Sequence, residues 1–202
     1  MKIRQPITVP GNSSYAKLTN HGKKVCLFGA SILQRINIKE FNYMLKDKTA
    51  IKECHSGATA SKTSHYIKPT LEDENPDVVM INIGTDNLTK KKWQTDEDIA
   101  HEIIQIVEDC RKMGINEVYV SGLTVRRGFY NRINLINEIL QKKAGECFYT
   151  FIDNSNIQNH HLRNDGLHLE YEGTCLLANN LIDALTRGQP CLFFLSERPT
   201  QI

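Results

Sequence analysis

Val78-Val79-Met80-Ile81-Asn82-Ile83 runs straight into Gly84-Thr85-Asp86-Asn87, and the reading of this stretch decides the fold. It follows the turn signal Asn75-Pro76-Asp77 and is apolar almost throughout. A short continuous apolar run closed by glycine fits a strand buried on both faces, the kind found in parallel sheets covered by helices. Upstream, Lys24-Val25-Cys26-Leu27-Phe28 repeats the pattern and ends at Gly29, and Thr49-Ala50-Ile51-Lys52-Glu53-Cys54 forms a further strand. Between them, Ile32, Leu33, Ile36 and Phe41 predict a helix with one buried face, broken near Asn37. A helix is expected over Thr63 to Glu72, kinked or restarted by Pro69.

Downstream the alternation continues. Thr95-Asp96-Glu97-Asp98 is a helix start with acidic residues in its first turn; Ile99, Ile103, Ile106, Val107 and Cys110 follow at helical spacing until Gly114. Val118 to Ser121 and Phe148 to Ile152 read as strands, with Ile133, Ile136 and Leu140 marking the helix between them. A last helix runs from Tyr171 to Leu185, with Leu177, Leu181 and Leu185 on one stripe. Strands alternating with helices predict an α/β fold, a five-stranded parallel sheet with helices on both faces. We expect an extended arm or linker over 1–22, one domain over 23–188 and a C-terminal tail over 189–202. In that tail Cys191-Leu192-Phe193-Phe194-Leu195 either packs back on the domain or forms a patch for self-association or a lipid surface.

A chain of 202 residues, 40% hydrophobic and 24% charged, can bury a core without staples. Its formal charge of +2 supplies no field for nucleic acid or an anionic membrane, and the runs Lys90-Lys91-Lys92 and Arg126-Arg127 read as solvated rims. The six scattered cysteines lack any C-x-x-C pair, and the N-terminus lacks the apolar run of a signal peptide; both point to a reduced, cytoplasmic setting. No run is long and apolar enough for a membrane span.

Ligands bind parallel sheets at the carboxyl ends of the strands. Four chemically loaded stretches fall there: Phe28-Gly29-Ala30-Ser31, Ser56-Gly57-Ala58-Thr59, Ile83-Gly84-Thr85-Asp86-Asn87 and Asn164-Asp165-Gly166-Leu167-His168. An aspartate three residues before a histidine lets one imidazole nitrogen face its own carboxylate, leaving the other to take a proton from a hydroxyl. Ser31 at a helix start would also leave its backbone N–H unpaired, although serine there often serves only as an N-cap. Gly57 suits either a turn or an N–H closely approached by substrate. Asp165 and His168 could equally be a cap and a structural histidine. His160 and His161 with that pair match no common zinc spacing, and neither a metal nor an organic cofactor is implied.

These four blocks, in this order, resemble the SGNH (GDSL-type) serine hydrolases from about Lys24 to Leu185. The resemblance implies a flavodoxin-like three-layer sandwich and a carboxylic-ester hydrolase acting on a small acyl-ester or lipid substrate. It makes Ser31 the nucleophile, His168 the base and Asp165 its partner. It assigns the oxyanion hole to the N–H groups of Ser31 and Gly57 with a side chain of the third block. Two positions depart from the family pattern: Ala30 replaces an aspartate, and Asp86, followed by Asn87, stands where an asparagine donates to the oxyanion. A carboxylate there accepts hydrogen bonds and repels developing negative charge. Either Asn87 takes over the donor role, or Asp86 is held protonated, or the domain is a weak or retired esterase. Phe151-Ile152-Asp153-Asn154-Ser155-Asn156-Ile157 and Ala178-Asn179-Asn180 further resemble SGNH-like domains in the first open reading frame of invertebrate non-LTR retrotransposons. That narrower likeness implies the alternative function, a catalytically impaired binding or assembly module in a nucleoprotein particle.

Overall fold

A computed structural model describes residues 22–91 and 93–186. The N-terminal arm and the Cys191-to-Leu195 run lie outside the described residues. Five parallel strands, β1 (Lys23–Gly29), β2 (Lys48–Cys54), β3 (Val78–Asn82), β4 (Glu117–Ser121) and β5 (Thr150–Ile152), line up in the order β2-β1-β3-β4-β5. That is the strand order of flavodoxin-like doubly wound folds. The strand on which the sequence reading turned is buried along its whole length and lies between β1 and β4.

Side chains alternate across the sheet, so each strand feeds two cores. Cys26, Phe28, Val79 and Ile81 face one layer, packed with α2 (Ala60–Glu74), α4 (Asp96–Lys112) and α5 (Tyr130–Lys143) through Ile67, Ile99, Ile103 and Ile136. Val25, Leu27, Val78 and Met80 face the other, packed with α1 (Ile38–Leu45) and α6 (Tyr171–Thr186) through Phe41, Leu45, Leu177 and Leu181. Truncating one fully buried isoleucine of this sheet to alanine costs about 2–5 kcal/mol, enough to threaten the fold and everything it positions.

Local signals set the helix ends. Asn37 caps α1 by accepting from the Lys39 N–H, which is why the apolar pattern breaks there: Leu33–Arg35 is a separate 3-10 turn. Thr95 and Asp98 close a reciprocal capping box at the start of α4. Two expectations need correction, and one short helix had no expectation to match it. Pro69 does not restart α2, which runs unbroken from Ala60 to Glu74; the proline is on the exposed face, where water can satisfy the His65 carbonyl that loses its partner. The fifth strand starts only at Thr150, because Phe148 takes φ 55° and stays exposed. A short helix, α3 (Asn87–Lys90), follows β3 without a periodic signal to announce it.

The strand ends are drawn together by specific approaches. A Cβ on Gly29 would lie 2.4 Å from the Asn82 carbonyl oxygen, so only glycine lets β1 pass β3 closely and turn into Ser31. One layer down, Ser121 Oγ accepts from both Asn82 and Asn154 at 3.0 and 2.8 Å. Asn180 of α6 donates to Asn154 and Asn156, both at 2.9 Å. Asn154, Asn156 and Asn180 thus form one ladder that ties the last helix to the segment after β5.

Candidate active site

The first residue after the Gly29–Ala30 exit from β1 is Ser31, which leads into the 3-10 turn rather than an α-helix. Its Oγ lies 3.0 Å from His168 Nε2 although 137 residues separate the two in sequence. His168 Nδ1 lies 2.8 Å from Asp165 Oδ2, and Asp165 Oδ1 accepts from the Leu167 and His168 backbone N–H groups, each at 2.9 Å. The N–H of Leu167, the His168 ring and the His168 N–H, in that order, hold the Asp165 carboxyl well below the usual carboxylate range. An ionised carboxylate can only accept, so it fixes the proton on Nδ1 and leaves Nε2 as the acceptor for the serine hydroxyl.

This histidine loop largely holds itself. Arg163 N donates to the His168 carbonyl, Gly166 N to the Arg163 carbonyl, and Leu162 and Leu169 pair as an antiparallel bridge. Its tie to the neighbouring β4–α5 connection runs through Arg127, whose N–H donates to the Gly166 carbonyl at 2.8 Å and whose Nη1 donates to the Asn164 carbonyl at 3.1 Å. The geometry brings Ser31, His168 and Asp165 into one hydrogen-bonded row. Such a row can move a proton from a hydroxyl to an imidazole.

Gly57 has φ +69°, and its backbone N–H, like that of Ser31, makes no hydrogen bond among the described residues. A Cβ there would meet Lys90 Nζ at 2.5 Å, because that ammonium donates to the Gly57 carbonyl. Asp86 is only 7% exposed and lies 3.9 Å from the same ammonium. Asn87 is placed elsewhere. It is fully buried; both its amide N–H groups are taken, by Gln94 Oε1 at 2.8 Å and Glu102 Oε2 at 2.9 Å, while its oxygen accepts from Ala60 N at the start of α2. The Asn87 amide, the side-chain donor that the resemblance offered to an oxyanion, here joins α3 to α2 and α4.

The two basic runs are not simply solvated rims. Lys90 touches Gly57; Lys91 pairs with Glu102 at 3.0 Å; and Arg126, half-buried, donates from Nη1 to the Thr85 carbonyl at 2.7 Å. Only position held a clue to this. Both runs follow a strand end closely, where a parallel sheet keeps its ligands. Among the described residues no group of three or more His, Cys, Asp or Glu could hold a metal ion. Burial pushes the thiols of Cys26 and Cys110 up to about 12, so neither offers a thiolate.

No protein-family profile and no curated protein matches the sequence. Solved structures do match the fold. A lipase/acylhydrolase from Enterococcus faecalis superposes with a TM-score of 0.67 at 18% identity, over 85% of this chain and 100% of that one. A carbohydrate esterase of family 3 from Talaromyces cellulolyticus gives 0.72 at 16%, over 82% and 97%. A GDSL-like lipase from Bacteroides thetaiotaomicron gives 0.66 at 15%, over 83% and 90%. The chain therefore has the α/β fold of these acyl-ester hydrolases, at identities too low to carry their substrates across.

Proposed function

We propose that this chain is a carboxylic-ester hydrolase of the SGNH type, with Ser31, His168 and Asp165 as its catalytic triad. The observation that carries this reading is the row Asp165–His168–Ser31, with separations of 2.8 and 3.0 Å. Ser31 Oγ attacks the acyl carbon as His168 Nε2 takes its proton. The oxygen of the tetrahedral intermediate faces the unpaired N–H groups of Ser31 and Gly57. His168 then protonates the leaving alcohol, and water cleaves the acyl-serine by the same route. Asp86 occupies the family's third-donor place as an acceptor, and Lys90 offsets its charge. The hole thus has two backbone donors and no side-chain amide, which points to a slow enzyme.

The test is labelling of the full chain with a p-nitrophenyl phosphonate, followed by intact mass and peptide mapping. One adduct, on Ser31, is expected. Absence of an adduct from folded protein would overturn the reading. The buried Asp86 carboxylate favours a second one, in which the same pocket binds without turnover, as the retrotransposon likeness would have it for a particle-assembly module. Phosphonate labelling separates the two, because a retired site leaves Ser31 unmodified.

A further inference from the structure

Arg126 stands out because its charge is placed in the site but not used there. The chain fixes it from both sides. Val125 before it is buried, and Arg127 after it is bonded by its N–H to the Gly166 carbonyl of the histidine loop. From that anchor the Arg126 side chain crosses to the turn after β3, where Nη1 meets the Thr85 carbonyl at 2.7 Å, with the Phe129 ring 5.5 Å from its Cζ. A guanidinium carries five N–H donors in a planar fork suited to carboxylate or phosphate. Here the Thr85 carbonyl is the acceptor they meet among the described residues, and no carboxylate oxygen comes within ion-pair distance.

The neighbouring carboxylates do not consume the charge. Asp165 is held by Leu167 and His168, and Asp86 is faced by Lys90. Burial lowers the Arg126 pKa by more than Asp86 and Asp165 together restore, as expected of a cation that lacks a bonded counter-ion. A half-buried guanidinium without a bonded anion is costly to keep unless an anion arrives with the ligand. Lys90, on the Gly57 side, adds a second positive charge at the same strand ends.

We infer that Arg126 is a specificity-determining residue that binds a carboxylate or phosphate carried by the substrate, so that the preferred ester is an acidic one. This rests on the hydrolase reading above, but it can be judged apart from it. The readout is a ratio: kcat/KM on p-nitrophenyl hemiglutarate, with its anion on the acyl side, over p-nitrophenyl butyrate. A second ratio, 3-carboxyphenyl butyrate over phenyl butyrate, places the anion on the alcohol. One of the two ratios should exceed unity by about tenfold or more at low salt, shrink in 1 M salt, and fall to about one in Arg126→Gln. Arg126→Lys, which keeps the charge without the fork, should retain part of it and guards against a folding defect in the glutamine variant.

A guanidinium that merely neutralised Asp86 would affect neutral and acidic esters alike. Wild-type ratios near one, or a ratio that survives in Arg126→Gln, would overturn the inference. If the wild type turned over none of these esters, the hydrolase reading would fall, and calorimetry with glutarate and inorganic phosphate would decide this one. Binding of either anion that is lost in Arg126→Gln supports it; absence of binding by the wild type overturns it.

Discussion

The corner of the site around Ser31 and the corner around Asp86 lie at the ends of adjacent strands, β1 and β3, yet they follow different rules. At the first, three side chains keep the separations a proton relay needs, and backbone N–H groups fix the carboxylate at its far end. At the second, on the hydrolase reading, an acid stands where a donor would serve, its neighbouring amide is built into the core, and a lysine answers the charge. The difference is one of tolerance. A relay fails if any member moves by an ångström, whereas an oxyanion hole is a sum of donors, each worth about 2.7–4 kcal/mol, and two can work more slowly than three.

The comparison breaks most severely at Ser31. Ser31→Ala should lower kcat on p-nitrophenyl butyrate by about six orders of magnitude if this relay behaves like other serine hydrolases, with the melting temperature nearly unchanged. Wild-type turnover in that variant would mean the row of three does no chemistry. Asp86→Asn tests the other corner in the opposite direction. It removes a repelling charge and restores an amide donor, so turnover should rise by about a hundredfold. An unchanged rate would show that Lys90 already cancels the carboxylate.

The next effect is a pH dependence. Asp165 is held below the usual carboxylate range, so it contributes stability above about pH 4 that is lost only as the pH falls further, and it stays ionised from pH 5 to 9. The kcat/KM profile should therefore show one acidic limb. Along that limb kcat/KM should fall about tenfold per pH unit, as for the loss of a single general base. A flat profile from pH 5 to 9 would contradict a base role for His168. The smallest effect concerns Asn87. Asn87→Ala should lower stability by about 1–3 kcal/mol, because Gln94, Glu102 and the Ala60 N–H lose buried partners, and kcat per folded molecule should change little. A hundredfold kcat loss in fully folded protein would return Asn87 to the oxyanion hole.

How much of this could be read beforehand follows the same divide. Val78 to Ile83 announced a doubly buried strand because burial on both faces leaves only apolar residues to choose from. Ser31, Gly57, Asp165 and His168 stood out because their spacing and their place at strand ends are visible in one dimension. Pro69 misled because a missing hydrogen bond matters less on a wet helix face than in a dry one. Phe148 misled because a positive φ at an aromatic residue has no sequence signature. Arg126 and Lys90 were illegible because a basic residue just past a strand looks the same in sequence whether it points to water or bonds a backbone carbonyl at the strand ends. For Asn87, only contacts with Gln94 and Glu102, 7 and 15 residues away, reveal where its amide is committed.

The self-bonded loop that carries Asp165 and His168 has a consequence under heat. Most of its hydrogen bonds close within about eight residues, and its described ties to the β4–α5 connection all run through Arg127. Segments with few outside ties open separately from a sheet core, at lower free energy. Under the hydrolase reading, activity should be lost on warming before the five strands melt, provided the core anchors Leu162 and Leu169 give way first. On that reading its working temperature would be set by one short loop sooner than by the sheet.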